Sequence, residues 1–408
     1  MDYSDQKAEN RRRNVEEARA GARRLVSRPL RFWFDLYGEC SLACRHCGFQ
    51  VHGRSSDREV DEIVYERVVT EILPTAYVCN LGGTNYGEMT ISKYFHRFVR
   101  DCADHGVRIS LTTNGTCMSD DWFDDLLDNL VVIGFSMEGM GDRFEQIRGY
   151  RWKHFLANVE KVARGRETAG RDFRMEWRYC THADSIHQLP EMIRVAGDVG
   201  VDRIAVMNLV PFVAEQKFKQ LYYHRSLANR YFCEARLEAA RRDIEIDIPP
   251  DFEVGSFDDA SCDDSGPQTV SLSVNGASTA PVGADDSGTL ELPACHLPWQ
   301  ACSINELGIV RPCCTYWRPM GDLSRQSFES IWNGRRYRSL RDNINRRSNP
   351  ICFRCRRPRF DSDENLSAGQ LAPSVKQLLR ARLSGMRSRP GISYTGTVAH
   401  DYDPVVHH

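Results

Sequence analysis

The sequence predicts an α/β protein in which parallel strands alternate with helices, followed by a small Cys-rich α+β unit. Three observations carry that expectation. Six short apolar runs are separated by stretches with helical spacing, an order that calls for parallel strands joined by right-handed crossovers, open or curled into a partial barrel. The chain has 408 residues, more than the roughly 250 to 300 that one core usually supports, so a large domain plus a smaller one is the natural division. Closely spaced cysteines fall into two groups, one early and one late.

Residues 1–30 read as a helical, polar N-terminal extension. Strands are expected at Phe32–Tyr37, Ala76–Leu81, Val107–Thr112, Val131–Met137, Phe173–Tyr179 and Arg203–Leu209. Between them, helical spacing covers Asp61–Leu73, Ile91–His105, Asp120–Leu130, Trp152–Glu167 and His187–Val199, and Pro190 falls in the first turn of the last, where it is tolerated. These elements make up a unit over 31–215. Glu215–Arg242 reads as one long helix or a helical pair inside a connector over 216–254. From Asp243 to Val310 there is no Lys or Arg, and residues 255–290 are rich in Asp, Ser, Gly and Thr, the composition of an acidic flexible insertion. An Arg-rich, Cys-containing unit is expected at 291–360, and the polar tail at 361–408 has too few apolar positions to form a domain.

Composition narrows the function. A net charge of −2 gives no reason to expect a nucleic-acid partner. Residues 1–13 are charged and lack the apolar stretch of a signal peptide, and no segment approaches the 18 or so apolar residues of a membrane span. A cytoplasmic protein without membrane contact is the expectation. Fifteen cysteines in such a chain point to metal or redox chemistry, because a reducing compartment keeps thiols reduced and a chain this long has a core without staples.

The sharpest signal is Cys40-Ser41-Leu42-Ala43-Cys44-Arg45-His46-Cys47, three thiols within eight residues directly after the first strand. Zinc needs four ligands, and adjacent His46 and Cys47 point apart on most backbones. Packing rarely gathers three cysteines in one loop. A four-iron four-sulfur (4Fe-4S) cluster held by three thiolates leaves one iron open to a ligand, which is chemically useful.

Here the chain resembles the radical S-adenosylmethionine (SAM) enzymes, whose signature has the spacing of Cys40, Cys44 and Cys47. The resemblance covers about residues 31–210 and implies a partial (β/α)6 barrel. It also implies an open iron that chelates the amino and carboxylate groups of SAM, and reductive cleavage of SAM to a 5'-deoxyadenosyl radical. Further landmarks carry the same resemblance. Leu81-Gly82-Gly83-Thr84-Asn85-Tyr86-Gly87-Glu88 resembles the family's glycine-glutamate segment, in which Gly87 lets the backbone approach the methionine amine and Glu88 accepts its protons. Thr112-Thr113-Asn114-Gly115 is a turn that many members share. Ser136 and Glu138 stand where the family contacts the ribose hydroxyls, and Arg178 is placed to pair with the SAM carboxylate. His46 occupies the family's adenine-contacting position, usually an aromatic residue.

Downstream, Cys295 is followed after 17 residues by Cys313, with Gly308 five positions before the latter, and Cys352-Phe353-Arg354-Cys355 closes the set. Four thiols in this spacing suit an iron-sulfur cluster, and zinc would be satisfied by the same set. The pattern resembles the auxiliary-cluster domains, called twitch or SPASM, of some radical SAM enzymes. Gly308-Ile309-Val310-Arg311-Pro312-Cys313, Gly321-Asp322-Leu323 and Ile331-Trp332-Asn333-Gly334 carry that likeness. It implies a second 4Fe-4S cluster, fully ligated by Cys295, Cys313, Cys352 and Cys355. Cys302 and Cys314 are spare neighbours able to replace an assigned ligand.

These resemblances imply an oxidoreductase of natural-product (antibiotic) biosynthesis that takes an alcohol of a small sugar or aminocyclitol to a ketone. The auxiliary cluster would accept an electron, and a flavodoxin or ferredoxin would be the external donor. Epimerisation is the rival, with Cys180 at the end of the fifth strand as the candidate hydrogen donor. Peptide substrates rank lower, because some 30 residues before the first strand are too few for a peptide-recognition domain. A zinc-bound interaction module without catalysis is the alternative from another class.

Overall fold

The structure, a computed structural model, describes residues 3–48, 58–82, 87–212, 214–253, 295–344 and 352. The acidic insertion expected at 255–290, the tail at 361–408, Gly83 to Tyr86 and Cys355 lie outside the described residues.

All six expected strands form: β1 (Arg31–Phe34), β2 (Val78–Leu81), β3 (Arg108–Thr113), β4 (Leu130–Met137), β5 (Arg174–Thr181) and β6 (Arg203–Asn208). They pair in chain order and all in parallel. Helices fill the crossovers: α2 (Glu62–Glu71), α3 (Phe95–Asp104), α4 (Asp120–Asn129), α5 (Gly141–Arg148), α6 (Trp152–Thr168) and α7 (Leu189–Asp198). Local chemistry starts several of them. The Asp61 carboxylate caps α2 by accepting from Ile63 N at 2.8 Å, Ser119 caps α4 by accepting from Asp121 N, and Pro190 sits in the first turn of α7.

Alternation along the strands sorts the two faces of the sheet. Phe32, Phe34, Leu81, Ile109, Leu111, Ile133, Phe135, Met175, Trp177 and Tyr179 are buried in one apolar core. Many of the alternate residues are polar. Thr112, Ser136, Glu176, Arg178 and Arg203 point the other way, and the carboxylate of Glu176 is held by Arg203 at 2.9 Å, Arg174 at 3.2 Å and Arg178 at 3.3 Å. A buried carboxylate among three guanidiniums supplies the concave face of the sheet with its own counter-charges.

The structure adds detail to two of the expected units. The connector over 216–254 includes a strand: after α8 (Ala214–Lys217) and α9 (Arg225–Arg242) comes β7 (Glu245–Asp247), which pairs in parallel with β6. The Cys-rich unit joins the main sheet at its other edge. Following α10 (Leu297–Gln300), β8 (Ala301–Ile304) pairs in parallel with β1, from Arg31↔Ala301 to Phe34↔Ile304. The antiparallel strands β9 (Ile309–Arg311) and β10 (Gly321–Asp322) extend the same sheet, and α11 (Phe328–Trp332) and α12 (Arg335–Asn343) follow. No helix among the described residues is long and apolar enough to cross a membrane.

The N-terminal extension is helical, as expected, and it laces the two ends of the chain together. Helix α1 (Ser4–Arg19) buries Lys7, Asn10, Asn14 and Ala18 on one face. Lys7 donates to the Gly106 carbonyl, and Asn14 Nδ2 donates to the Trp299 carbonyl at 2.6 Å, Ser27 Oγ at 3.0 Å and the Arg28 carbonyl at 3.2 Å. Trp332 Nε1 reaches the Ser27 carbonyl, and Asn333 bonds both backbone groups of Leu25. Replacing Asn14 takes the side-chain donor from the buried Trp299 carbonyl, while the Arg28 carbonyl keeps Asn10 Nδ2 at 3.2 Å. Asn14→Ala is expected to destabilise the protein by about 1–3 kcal/mol, read as a lowered urea midpoint; an unchanged midpoint would mean that the lacing contributes nothing.

Candidate functional site

The cysteine loop leaves the carboxyl end of β1, where a parallel α/β sheet gathers its chemistry. Cys44 is buried and Cys40 and Cys47 are half-buried, and both of the latter lie close enough to act electrostatically on Cys44. Burial pushes the Cys44 thiol up to about 12, while the Arg148 guanidinium pulls the other way. Ligation there therefore releases protons from buried thiols. Among the described residues no three His, Cys, Asp or Glu side chains converge on one metal-ion position. The donors that surround the loop suit sulfur carrying negative charge: Asn114 Nδ2 donates to Cys40 Sγ at 3.4 Å, and Arg148 lies close enough to act on both Cys40 and Cys44. The donor set and its cationic backing fit a thiolate-held iron-sulfur cluster.

Gly87 and Glu88 meet the loop from β2. A Cβ on Gly87 would sit 2.2 Å from the Tyr37 carbonyl oxygen, so only glycine lets this strand end lie against the approach to the cysteines. Glu88 N donates to the Glu39 carbonyl at 2.7 Å. The Glu88 carboxylate was expected to meet the methionine amine. Within the protein it is buried and accepts from Thr90 Oγ1 at 2.7 Å, Thr113 Oγ1 at 2.8 Å and Asn114 N at 2.7 Å. Burial raises its pKa in spite of these bonds. Asn114 thus runs from Glu88 to Cys40 and Ser41, the latter at 3.0 Å, and joins the β2 and β3 loops to the cysteines.

Glu138, expected near the ribose, makes a bidentate pair with Arg148 at 2.6 and 2.8 Å and takes His46 Nε2 at 3.1 Å, with Glu138 2% and Arg148 4% exposed. Burial opposes its charge, and Arg148 and His46 more than offset that, holding the carboxyl well below the ordinary value. Arg148 escaped the sequence reading although a signal was present: it follows Phe144 and Ile147 on the buried face of α5, and a charge on such a face implies a buried partner.

The remaining site residues are spread along the concave face. Ser136 and Arg178 are register partners on β4 and β5. Ser136 makes no side-chain hydrogen bond among the described residues, and Arg178 bonds Thr112 and Glu176. Cys180 lies one step further toward the carboxyl end, close enough to Glu138 and Arg148 to feel both, and burial keeps its thiol protonated. His182, just beyond β5, was missed; it stacks edge-on against His46 with centroids 5.7 Å apart.

At the far edge of the sheet Cys313 neighbours Cys295 and Cys314, and burial pushes the Cys313 thiol up to about 12. Cys352 is buried. Cys302 is not a spare ligand: it is fully buried on the core side of β8 and is sensed by Cys79. Cys295 precedes β8 and Cys313 follows the antiparallel β9, so both lie at the end where β1 begins, opposite the end from which the Cys40 loop emerges.

Comparison with known proteins agrees with this architecture. Residues 35–169 match the radical SAM superfamily and residues 295–356 the SPASM iron-sulfur cluster-binding domain. The tungsten-containing aldehyde ferredoxin oxidoreductase cofactor-modifying protein of Pyrococcus furiosus is 25% identical over 236 residues, 53% of this chain and 62% of that protein. The PqqA peptide cyclase of Bradyrhizobium diazoefficiens is 24% identical over 242 residues, 56% of this chain and 59% of that one. The match thus spans about three fifths of each curated relative. Streptococcus suis SuiB bound to precursor peptide SuiA shares the fold with a TM-score of 0.53 at 15% identity, covering 80% of this chain and 69% of that one. For anSMEcpe with bound AdoMet the values are 0.52, 14%, 88% and 100%. The cofactors of these domains are SAM and 4Fe-4S clusters. The chain thus contains a radical SAM domain over residues 35–169 and a C-terminal SPASM-type iron-sulfur cluster-binding domain over residues 295–356.

Proposed function

We propose that the protein is a radical SAM oxidoreductase that takes an alcohol of a small polar molecule, a sugar or aminocyclitol, to a ketone. Cys40, Cys44 and Cys47 would hold the SAM-cleaving cluster, and Cys295, Cys313, Cys352 and Cys355 the auxiliary one. The clusters supply one-electron chemistry, the first cleaving SAM to the 5'-deoxyadenosyl radical and the second accepting the substrate's electron. The observation that carries the reading is the placement of Cys295 and Cys313 at the end of the sheet opposite the Cys40 loop, a strand length of about 13 Å removed. A ligand set there is too remote to hold the reacting carbon and suits electron traffic.

The chain's own residues position and shield. Glu88, through Asn114, and Glu138, through Arg148 and His46, are positioning residues that fix the cysteine loop from two sides. Ser136 and Arg178, on the concave face, are the groups left to meet SAM. In the oxidation a C–H hydrogen leaves as an atom to the adenosyl carbon, the hydroxyl proton goes to a base, and one electron leaves the substrate, so the product is two hydrogens lighter. Cys180 supports a second reading, epimerisation, because its thiol lies near Glu138 and Arg148 at the carboxyl end of β5. The peptides named for the PqqA cyclases and SuiB put peptide substrates in the assay as well.

Four outcomes are expected. Changing Cys40, Cys44 and Cys47 to Ala should abolish 5'-deoxyadenosine formation from SAM and dithionite while leaving about half of some eight irons per chain; continued cleavage would overturn the ligand assignment. Turnover in deuterated water should give a product two hydrogens lighter, whereas an unchanged formula with one solvent deuterium on carbon, lost in Cys180→Ala, would establish the epimerase. Arg148→Met leaves the buried Glu138 carboxylate with His46 as its remaining partner and should cost up to about 3–5 kcal/mol, much of it recovered in the Arg148→Met, Glu138→Gln double variant. Because the folded pKa of Glu138 lies below the ordinary 4.5, the stability that it contributes is present at neutral pH. The gap between wild type and Glu138→Gln in urea should therefore shrink as the pH falls below about 4.5.

A further inference from the structure

A cavity of about 220 Å³ opens beside the cysteine loop, bounded by four separate elements. Arg45 and His46 come from the loop itself, Arg143 from α5, His182 from the turn after β5, and Gln216 and Lys219 from the segment after β6. Its polar lining is incompletely satisfied. His182 is only 3% exposed, yet neither ring nitrogen has a hydrogen-bond partner; the same holds for His46 Nδ1 and Arg143 Nε. Unpartnered buried polar atoms are rare, and here the three residues that carry them line one space. Gln216 does not compete for a ligand, since its amide is used on the Arg45 carbonyl at 2.9 Å and on Phe212 N at 2.7 Å.

Charge indicates what the cavity receives. Arg143 and Lys219 share one carboxylate, Asp184, and Arg45 has no carboxylate partner among the described residues. Three cations against one anion leave a net charge of about +2 at the wall. A water could satisfy the imidazoles but not that imbalance. Burial and His46 push the His182 pKa down to about 4, which leaves a neutral ring with one N–H to donate. The volume falls below the roughly 300 Å³ at which whole-ligand pockets begin, so it suits one group of a larger molecule.

We propose that this pocket is an anion subsite that seats a phosphate or carboxylate group of the substrate, received by Arg143, Lys219, Arg45 and His182. It rests on the reading above only in taking the neighbouring loop as the radical-generating site, and its test needs no turnover. Anaerobically reconstituted protein would be titrated with orthophosphate, glucose 6-phosphate, succinate and glucose, each with and without saturating SAM, by calorimetry. Saturable binding of the anions but not of glucose is expected, unaffected by SAM and weakened at least about tenfold in Arg143→Gln and Lys219→Gln. His182→Gln, which keeps a donor, should bind better than His182→Phe. Iron content and circular dichroism matching wild type would show that the variants are folded. The ratio of glucose 6-phosphate to succinate affinity tells a phosphorylated substrate from a carboxylated one. Absence of saturable anion binding, binding unchanged in both cation variants, or displacement of the anion by SAM would overturn the proposal, the last by assigning the pocket to the nucleoside.

Discussion

A carboxylate shut away from water has to be surrounded by donors, and two of them, Glu88 and Glu138, are shut away at the carboxyl ends of β2 and β4. Their solutions differ. Glu88 is met by hydroxyl and backbone donors that carry no charge, so burial still dominates and its proton is held more tightly than usual. Glu138 is met by a guanidinium and an imidazole, which more than offset burial. Each solution draws its donors from a different segment of the chain. Satisfying Glu88 brings the β2 and β3 loops together against Cys40, and satisfying Glu138 brings α5 and His46 together under Cys44. The cysteine loop is thus held by polar constraints that fail abruptly if one member is lost, in contrast to apolar packing, which relaxes by degrees.

The catalytic end of the molecule is accordingly rigid where sulfur is presented and open where a substrate has to enter. Ser136, Arg178 and Cys180 line the concave face without being locked by more than one or two neighbours. The polar inner face, with Glu176 set among three arginines, keeps this end of the sheet hydrated in character while the outer face buries aromatic and aliphatic residues against helices. That division suits a substrate rich in hydroxyl or charged groups better than an apolar one.

Much of this was legible in the sequence, for reasons that particular residues illustrate. The six core strands are runs such as Val131–Met137 whose apolar content leaves little choice, and Asp61, Ser119 and Pro190 mark helix starts by local chemistry alone. The three cysteines declare themselves by spacing. What stayed hidden depends on partners far away in the chain. Glu245-Ile246-Asp247 is too polar and short to read as a strand, and it becomes one because β6 offers it an open edge. Ala301–Ile304 gives no hint that its partner is Arg31–Phe34. Glu88 and Glu138 were legible as functional positions but not as braces, since a single sequence does not say which donor will face a carboxylate. His182 looked like any polar residue after a strand.

The pairing of β8 with β1 has a consequence for the time before the protein is complete. Strand β1 is made early and the strand that covers its outer edge comes about 270 residues later, so a ribosome working at 5 to 20 residues per second leaves that edge bare for roughly ten to fifty seconds. During that interval a row of unpaired amides and carbonyls is available to any passing strand, including the β1 of a neighbouring nascent chain. Helix α1 emerges first and reaches the same end of the sheet through Lys7 and Gly106, but its tie to Trp299 must wait for the last quarter of the chain. The birth of this protein is therefore its most vulnerable period, and slowing synthesis late in the message would lengthen it.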